Sequence, residues 1–313
     1  MIWLIATISS YLILALVFLV DKYLISGAIL SPKLYAFYVG MLGVLALVLA
    51  PFINFYIPDY WQIFLSFLAG LSFVYALFWF YKLLSLFETS RAVPAIGGFL
   101  PIFSFLLVFL TSWGKETLQF REFSAFISLI LGTILITYKK KAFEKREINL
   151  KLLSFSAVAA LLWALHFVLA KYVYLGQGFL NGFLWIRIGG GVSAFSFFLL
   201  SKELRRDVFK LRRLEGAPLL GSSKTAGIFI SNQLLGVTAH ILQNWAISLV
   251  PIIYISLITA LQGVQYLFLL IFGAIISLKF PQILKEEVSA KIIFQKMIAI
   301  LFIGGGLVLL AFQ

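Results

Sequence analysis

Charges punctuate this 313-residue chain so sparsely that ten apolar stretches of about 17–25 residues stand between them. They run approximately over 2–22, 34–52, 60–82, 91–112, 121–138, 152–174, 178–200, 226–248, 251–277 and 292–312. An α-helix rises about 1.5 Å per residue, so about 20 residues match a hydrocarbon core of roughly 30 Å. The expected fold is therefore all-α, a polytopic membrane protein with ten transmembrane helices. Composition removes the soluble alternative: 62% of residues are hydrophobic and 12% charged, against about 25% charged in a soluble domain. The first stretch lacks a basic flank and runs into Asp21-Lys22, so it reads as a retained span rather than a signal peptide. Cysteine is absent, which excludes disulfides and thiolate chemistry, and two histidines far apart in sequence do not suggest a metal cage.

The opening helix is written twice. Leu12, Ala15, Leu16, Phe18, Lys22 and Tyr23 recur with the same spacing as Leu161, Ala164, Leu165, Phe167, Lys171 and Tyr172. Gly70 and Trp79 are echoed by Gly236 and Trp245, Leu100-Pro101 by Leu261-Gln262-Gly263, and Gly132-Thr133-Ile134-Leu135 by the Gly304–Leu307 segment. The expected organisation is a first five-helix repeat over 1–138, a charged linker over 139–151 and a second five-helix repeat over 152–313. Five is odd, so the second copy enters the membrane inverted. Inverted repeats of this kind mark carriers whose path lies between the halves.

About 21 of the 25 Lys and Arg residues fall in the loops after the odd-numbered spans. The positive-inside rule then expects those loops in the cytoplasm and both termini outside, in a cell membrane. The seven-eight loop, with Lys202, Arg205, Arg206, Lys210, Arg212, Arg213 and Lys224, dominates that count. The net charge of +13 is explained by topology and anionic lipid rather than by nucleic acid, for which no recognition fold has residues to spare.

The segment Glu88-Thr89-Ser90-Arg91-Ala92-Val93-Pro94 through Leu100-Pro101-Ile102-Phe103, followed by Gly114-Lys115-Glu116 and Gly132, resembles the EamA domain of the drug/metabolite transporter superfamily. Ile255–Gln262 and the Gly304 segment resemble a more diverged copy. The resemblance covers essentially the whole chain and implies alternating access around a cavity lined by the third, fourth, eighth and ninth helices, with the first and sixth. Two features depart from the family. Many members place both termini in the cytoplasm, and small multidrug relatives carry a coupling glutamate deep in the first helix, where this chain has no acid before Asp21.

Candidate site residues follow from what a carrier needs: polar groups at mid-depth and helices that can break there. Pro94 and Pro101 interrupt the fourth span, each removing a backbone hydrogen bond, and Gly263 beside Gln262 weakens the ninth at the matching depth. Gln233, His240 and Asn244 share one face of the eighth span with Gln243 beside them; Thr259, Gln262 and Tyr266 do so on the ninth, with Gln265 alongside. Such amides grip a solute without the desolvation cost of a charge, though they also serve as glue between helices. His240 is the titratable member and a candidate for proton coupling; His166, replacing the repeat's Val17, either faces the cavity or bonds at a helix interface. Arg187 lies roughly 14 Å into the seventh span, where it either binds an anion or plays the structural part common for an arginine in this helix of the family. Lys22 and Lys171 are candidate gates or snorkelling side chains, and Tyr75 with Trp79 a candidate cavity pair.

The reading is a secondary transporter for a small organic solute or metabolite, working as a monomer or weak homodimer in contact with membrane lipid, with no bound cofactor and no nucleic-acid partner. A flippase for lipid or lipid-linked head groups is its nearest rival. A membrane transferase is disfavoured because the 12 acidic residues lie mostly in loops.

Overall fold

The computed structural model describes residues 1–26, 31–87, 89–137, 146–213, 223–279 and 290–311, and the regular structure among them is entirely helical. The helices are α1 (Ile2–Ser26), α2 (Pro32–Gly43), α3 (Tyr60–Leu86), α4 (Thr89–Thr111), α5 (Phe120–Thr137), α6 (Arg146–Gln177), α7 (Phe179–Leu200), α8 (Lys202–Arg213), α9 (Ser223–Leu249), α10 (Ile255–Ala260), α11 (Gln262–Lys279) and α12 (Ala290–Ala311). Seven stretches among the described residues are long and apolar enough to cross a bilayer: Ile2–Ile25, Pro32–Phe52, Tyr60–Leu86, Ala92–Thr111, Leu150–Gln177, Phe179–Leu200 and Ile252–Leu269. Large apolar side chains such as Ile5, Phe64, Leu110 and Leu200 point outward and exposed, a surface suited to lipid. This is an integral membrane protein. Helix α9 is absent from the seven because Asn232, Gln233, His240, Gln243 and Asn244 interrupt its apolar face.

Local chemistry sets several boundaries. Ser31 Oγ accepts from the Leu34 amide at 3.3 Å with Pro32 opening α2, and Asp59 Oδ1 accepts from the Gln62 amide at 2.9 Å to start α3. Expected helices are subdivided in two places. After Gly43 the second stretch tightens into a 3-10 helix over Val44–Phe52, which contains Pro51. The ninth stretch breaks into a 3-10 turn (Ile252–Tyr254), α10 and α11, with the joint at Leu261. In the opposite sense, α4 runs unbroken through Pro94 and Pro101. The expected linker is partly helical, since α6 begins at Arg146; residues 138–145 lie outside the described part.

The basic seven-eight loop also contains structure. Helix α8 buries Leu204 and is tied to the start of α2 by Ser31 Oγ, which donates to Asp207 Oδ2 at 2.9 Å, and by a Lys33–Glu203 ion pair. The hydrogen bond from Lys33, and then its charge, hold the Glu203 carboxyl below its ordinary range.

Packing depends on small residues, as it must where lipid removes the hydrophobic drive between helices. Helix α3 packs on α6 and α7, α1 on α9, α4 on α6 and α5 on α12. At the α3–α7 crossing a Cβ on Gly70 would collide with the Gly190 backbone nitrogen and stand 2.6 Å from the Ile186 carbonyl. Just beside it, a Cβ on Gly189 would stand 2.7 Å from the Phe67 Cα. Backbone meets backbone here, and no rotamer change could make room.

The two repeated lysines have matching tasks. Lys22 Nζ, on α1, donates to the Leu84 and Phe87 carbonyls at 2.5 and 3.0 Å, at the C-terminal end of α3. Lys171 Nζ, on α6, donates to the Ser248 carbonyl at 3.0 Å, at the C-terminal end of α9. A cation is favoured at a helix C-terminus by both the free carbonyls and the dipole. Both candidate gates therefore cap helix C-termini in this structure.

Two measurements check this account. Gly70→Ala should destabilise the detergent-solubilised protein by about 1–3 kcal/mol through overpacking. Gly98→Ala, where an added Cβ meets nothing within 4 Å, should leave the thermal midpoint unchanged or raise it. The depressed Glu203 carboxyl contributes stability that is complete above its unfolded value near 4.5 and lost as pH falls through the lower folded value. The pair is largely solvated, so the effect is small. Glu203→Gln should lower the midpoint slightly at neutral pH, flatten its decline below pH 4.5 and match the parent protein once the carboxyl is protonated.

Candidate functional site

Phe73, on α3, is the centre around which three nitrogen-bearing side chains gather. The His166 ring from α6 lies 5.1 Å away, the His240 ring from α9 meets it edge-on at 5.3 Å, and the Arg187 guanidinium from α7 stacks over it at 4.9 Å. A second ring, Phe183, contacts the same guanidinium at 4.6 Å. Four helices contribute one residue each to a cluster near the middle of the bundle.

Arg187 is the ninth residue of α7, deep in the segment. Intramembrane arginine costs at least about 2.5 kcal/mol on insertion scales and is normally repaid by an anion or carbonyl. Among the described residues none accepts a hydrogen bond from its nitrogens, and its neighbours include the two rings, Tyr174 and the Gly43 face of α2. Cation–π stacking steadies the guanidinium without using its N–H fork. Arg187 and His240 are only half-buried and keep accessible surface.

The histidines are held differently. His166 is 1% exposed, and its Nδ1 faces the Ala69 carbonyl at 3.0 Å. A carbonyl only accepts, so this partner puts the proton on Nδ1 and leaves Nε2 a lone-pair acceptor. That Nε2 is buried and unpartnered. Gln243 neighbours both His240 and the Tyr11 hydroxyl, and Tyr11 donates to the Ile258 carbonyl at 2.9 Å. Asn244 donates to the His240 carbonyl and accepts from the Tyr174 hydroxyl, both at 2.8 Å.

Other sequence-nominated residues lie elsewhere. Gln233 donates to the Tyr35 hydroxyl at 3.1 Å, two helical turns from His240. Thr259 is fully buried and returns its hydroxyl to the Ile255 and Ser256 carbonyls of its own helix. Gln262 and Gln265 bond each other at 3.3 Å, leaving Gln262 Oε1 and Gln265 Nε2 buried without partners. Tyr266 fills the space left by the missing side chain of Gly97 and donates to the Val93 carbonyl at 3.2 Å. Pro101 frees the Gly97 carbonyl, four residues back, whereas the carbonyl taken by Tyr266 is that of Val93, one turn earlier. Gly263 is a packing contact, its virtual Cβ 2.7 Å from Thr133 Oγ1. Tyr75 stacks on Phe197, and Trp79 packs on Phe155 with Lys82 above both rings at 4.7 Å. Neither of that expected pair touches the cluster. Phe73, two residues before Tyr75, takes the place, since α3 turns about 100° per residue and only one of its faces looks inward.

A second polar cluster joins α1, α2 and α9. Asp21, 1% exposed, accepts from the Tyr35 hydroxyl at 2.5 Å and from Asn232 Nδ2 at 2.7 Å, both on Oδ1. No lysine or arginine pairs with it among the described residues. Asn232 Oδ1 is buried and unpartnered, and Tyr81 packs its ring 4.4 Å from Tyr35. Sequence reading registered Asp21 only as an acid near a helix end. The available signal was Asn232 beside Gln233, two amides in an otherwise apolar run.

No family model matches this chain, and no curated protein matches it. Among solved structures it is similar to one described only as "Crystal structure of protein", with a TM-score of 0.61 over 97% of this chain and 95% of the other. At 15% identity that likeness concerns the fold alone.

The Asp21 cluster generates a stability prediction. Tyr35→Phe removes one of two donors to a buried carboxylate and should destabilise by about 1–3 kcal/mol. In the Asp21→Asn background the same substitution should cost markedly less. Unfolding midpoints of the two singles and the double, measured as a cycle, check it; equal costs in both backgrounds would remove the coupling.

Proposed function

We propose that the chain is a secondary carrier moving a small organic solute across the membrane by alternating access. It has ten crossings in two inverted five-helix repeats of the EamA type, 1–138 and 152–313, with both termini outside. The observation that carries the reading is the cluster around Phe73. Its members come from both proposed halves, α3 from the first and α6, α7 and α9 from the second, and two of them, Arg187 and His240, keep accessible surface. Carrier sites are built at such repeat interfaces.

Two further observations support the inverted arrangement. Lys22 caps the third helix of the first half, and Lys171 caps the corresponding helix of the second. Likewise α1 packs on α9 as α6 packs on α3, an exchange of partners that inversion requires.

The glycines support two states. Gly40 follows Lys22 by the same eighteen residues that separate Gly189 from Lys171, so Gly40 and Gly189 are repeat mates, as are Gly70 and Gly236. Gly70 is locked against α7, whereas a Cβ on Gly236 would meet only Val17 Cγ1, at an ordinary 3.7 Å. One interface is closed and its mate is loose. In the opposite state Gly236 closes against the Gly40 region as the α3–α7 contact opens, so both glycines are needed over a full cycle.

This gives a discriminating variant. Gly236→Ala should leave the thermal midpoint nearly unchanged, because the present structure has room for it, yet cut flux on the order of tenfold by obstructing the other state. The assay is gradient-driven accumulation from a metabolite mixture in proteoliposomes, read by mass spectrometry against protein-free vesicles. Wild-type flux indistinguishable from empty vesicles, or undiminished flux in Gly236→Ala, speaks against the two-state carrier.

A further inference from the structure

The guanidinium of Arg187 and the bare Nε2 of His166 are the unspent groups of the central cluster, and they demand complementary chemistry. From them we infer that the site takes a small monocarboxylate bearing a neutral hydroxyl close to the carboxylate. This rests on the carrier reading for its transport meaning but not for its binding chemistry.

The carboxylate follows from Arg187. Its planar fork matches a carboxylate through two parallel hydrogen bonds. Cation–π contacts with Phe73 and Phe183 at 4.9 and 4.6 Å hold the guanidinium and use none of its N–H donors. The charge count favours a single negative charge. Arg187 is the one permanent cation of the cluster, and His166, bound through Nδ1 to a carbonyl, is complete as a neutral imidazole. A doubly charged phosphate would leave one charge uncompensated in a low-dielectric setting.

The hydroxyl follows from His166. Its Nε2 is buried, has no donor among the described residues and lies beside the same Phe73 ring that Arg187 covers. A shift of the side chains that cover it lets a ligand hydroxyl supply the missing donor. An ammonium group would donate too, but it would bring a positive charge beside Arg187. Among the described residues no Asp or Glu contributes to the electrostatics of Arg187, His166 or His240. An amino acid therefore lacks a counter-charge here, whereas a hydroxy acid does not need one. The aromatic walls accept an apolar body on the rest of the molecule.

The test compares ligands that differ at one group. Lactate, propionate and alanine carry hydroxyl, hydrogen and ammonium on the same carbon; 3-phenyllactate, 3-phenylpropionate and phenylalanine repeat the series with a larger body. Full-length protein in detergent is treated with phenylglyoxal, and modification at Arg187 is followed by mass spectrometry. Arg187 should react without ligand. A hydroxy acid at saturation should slow the reaction at least about tenfold, and its apparent affinity should exceed that of the hydrogen analogue by about 2–10-fold, one added neutral hydrogen bond. Alanine and phenylalanine should protect poorly. Thermal shifts by the hydroxy acids should disappear in Arg187→Gln, and His166→Phe should erase the preference for hydroxyl over hydrogen while retaining carboxylate binding.

Lack of reaction at Arg187, lack of protection by every carboxylate, or equal protection by the amino acids overturns the inference. Protection as described but no gradient-driven uptake of the hydroxy acids into proteoliposomes keeps the binding site and removes the carrier. Uptake of a neutral or cationic solute that survives Arg187→Gln keeps the carrier and removes this assignment.

Discussion

A positive charge in hydrocarbon has to be answered, and Lys22, Lys171 and Arg187 are answered in two ways. Lys22 and Lys171 spend their protons on carbonyls at the ends of α3 and α9, groups that helix geometry leaves open. Each lysine satisfies two deficits at once, its own and that of the helix terminus. Arg187 is given only aromatic faces. Those hold the guanidinium in place but leave its donors unused, so the two modes separate an architectural cation from one available to a ligand. The rest of the site is arranged around that difference.

Much of the helical layout was legible in the sequence because length and apolarity act locally. Helices lie along each apolar stretch read from the chain, with the second and ninth subdivided, and seven stretches meet the requirement for crossing a bilayer. The subdivision was harder to place. Proline suggested a break in α4, where the helix continues through Pro94 and Pro101, while the ninth stretch breaks at Leu261, with no proline at the joint. A proline in a bundle can be tolerated when neighbours take up the freed groups, and that depends on tertiary partners such as Tyr266.

The site was legible by residue type and less so by direction. His240, Asn244, Gln243 and Arg187 were recognisable as polar intrusions, and they do meet or neighbour one another. Thr259 and Gln233 have the same kind of signature but are occupied by their own helix or by Tyr35. Phe73 carries no sequence signal distinguishing it from 32 other phenylalanines; it matters because of where α3 is turned. Tyr35 was similarly invisible, and Asn232 showed only as an amide beside Gln233, since their significance is a buried Asp21 contributed by a third helix.

The uneven jointing of the fourth and ninth apolar stretches has a mechanical corollary. Helix α4 is continuous through Pro94 and Pro101, whereas the ninth stretch is divided at Leu261 between α10 and α11. A regular helix is stiff because each turn is bonded to the next, and an interruption of that ladder is where a bend is easiest. Bending of the bundle therefore costs less at Leu261 than anywhere along α4.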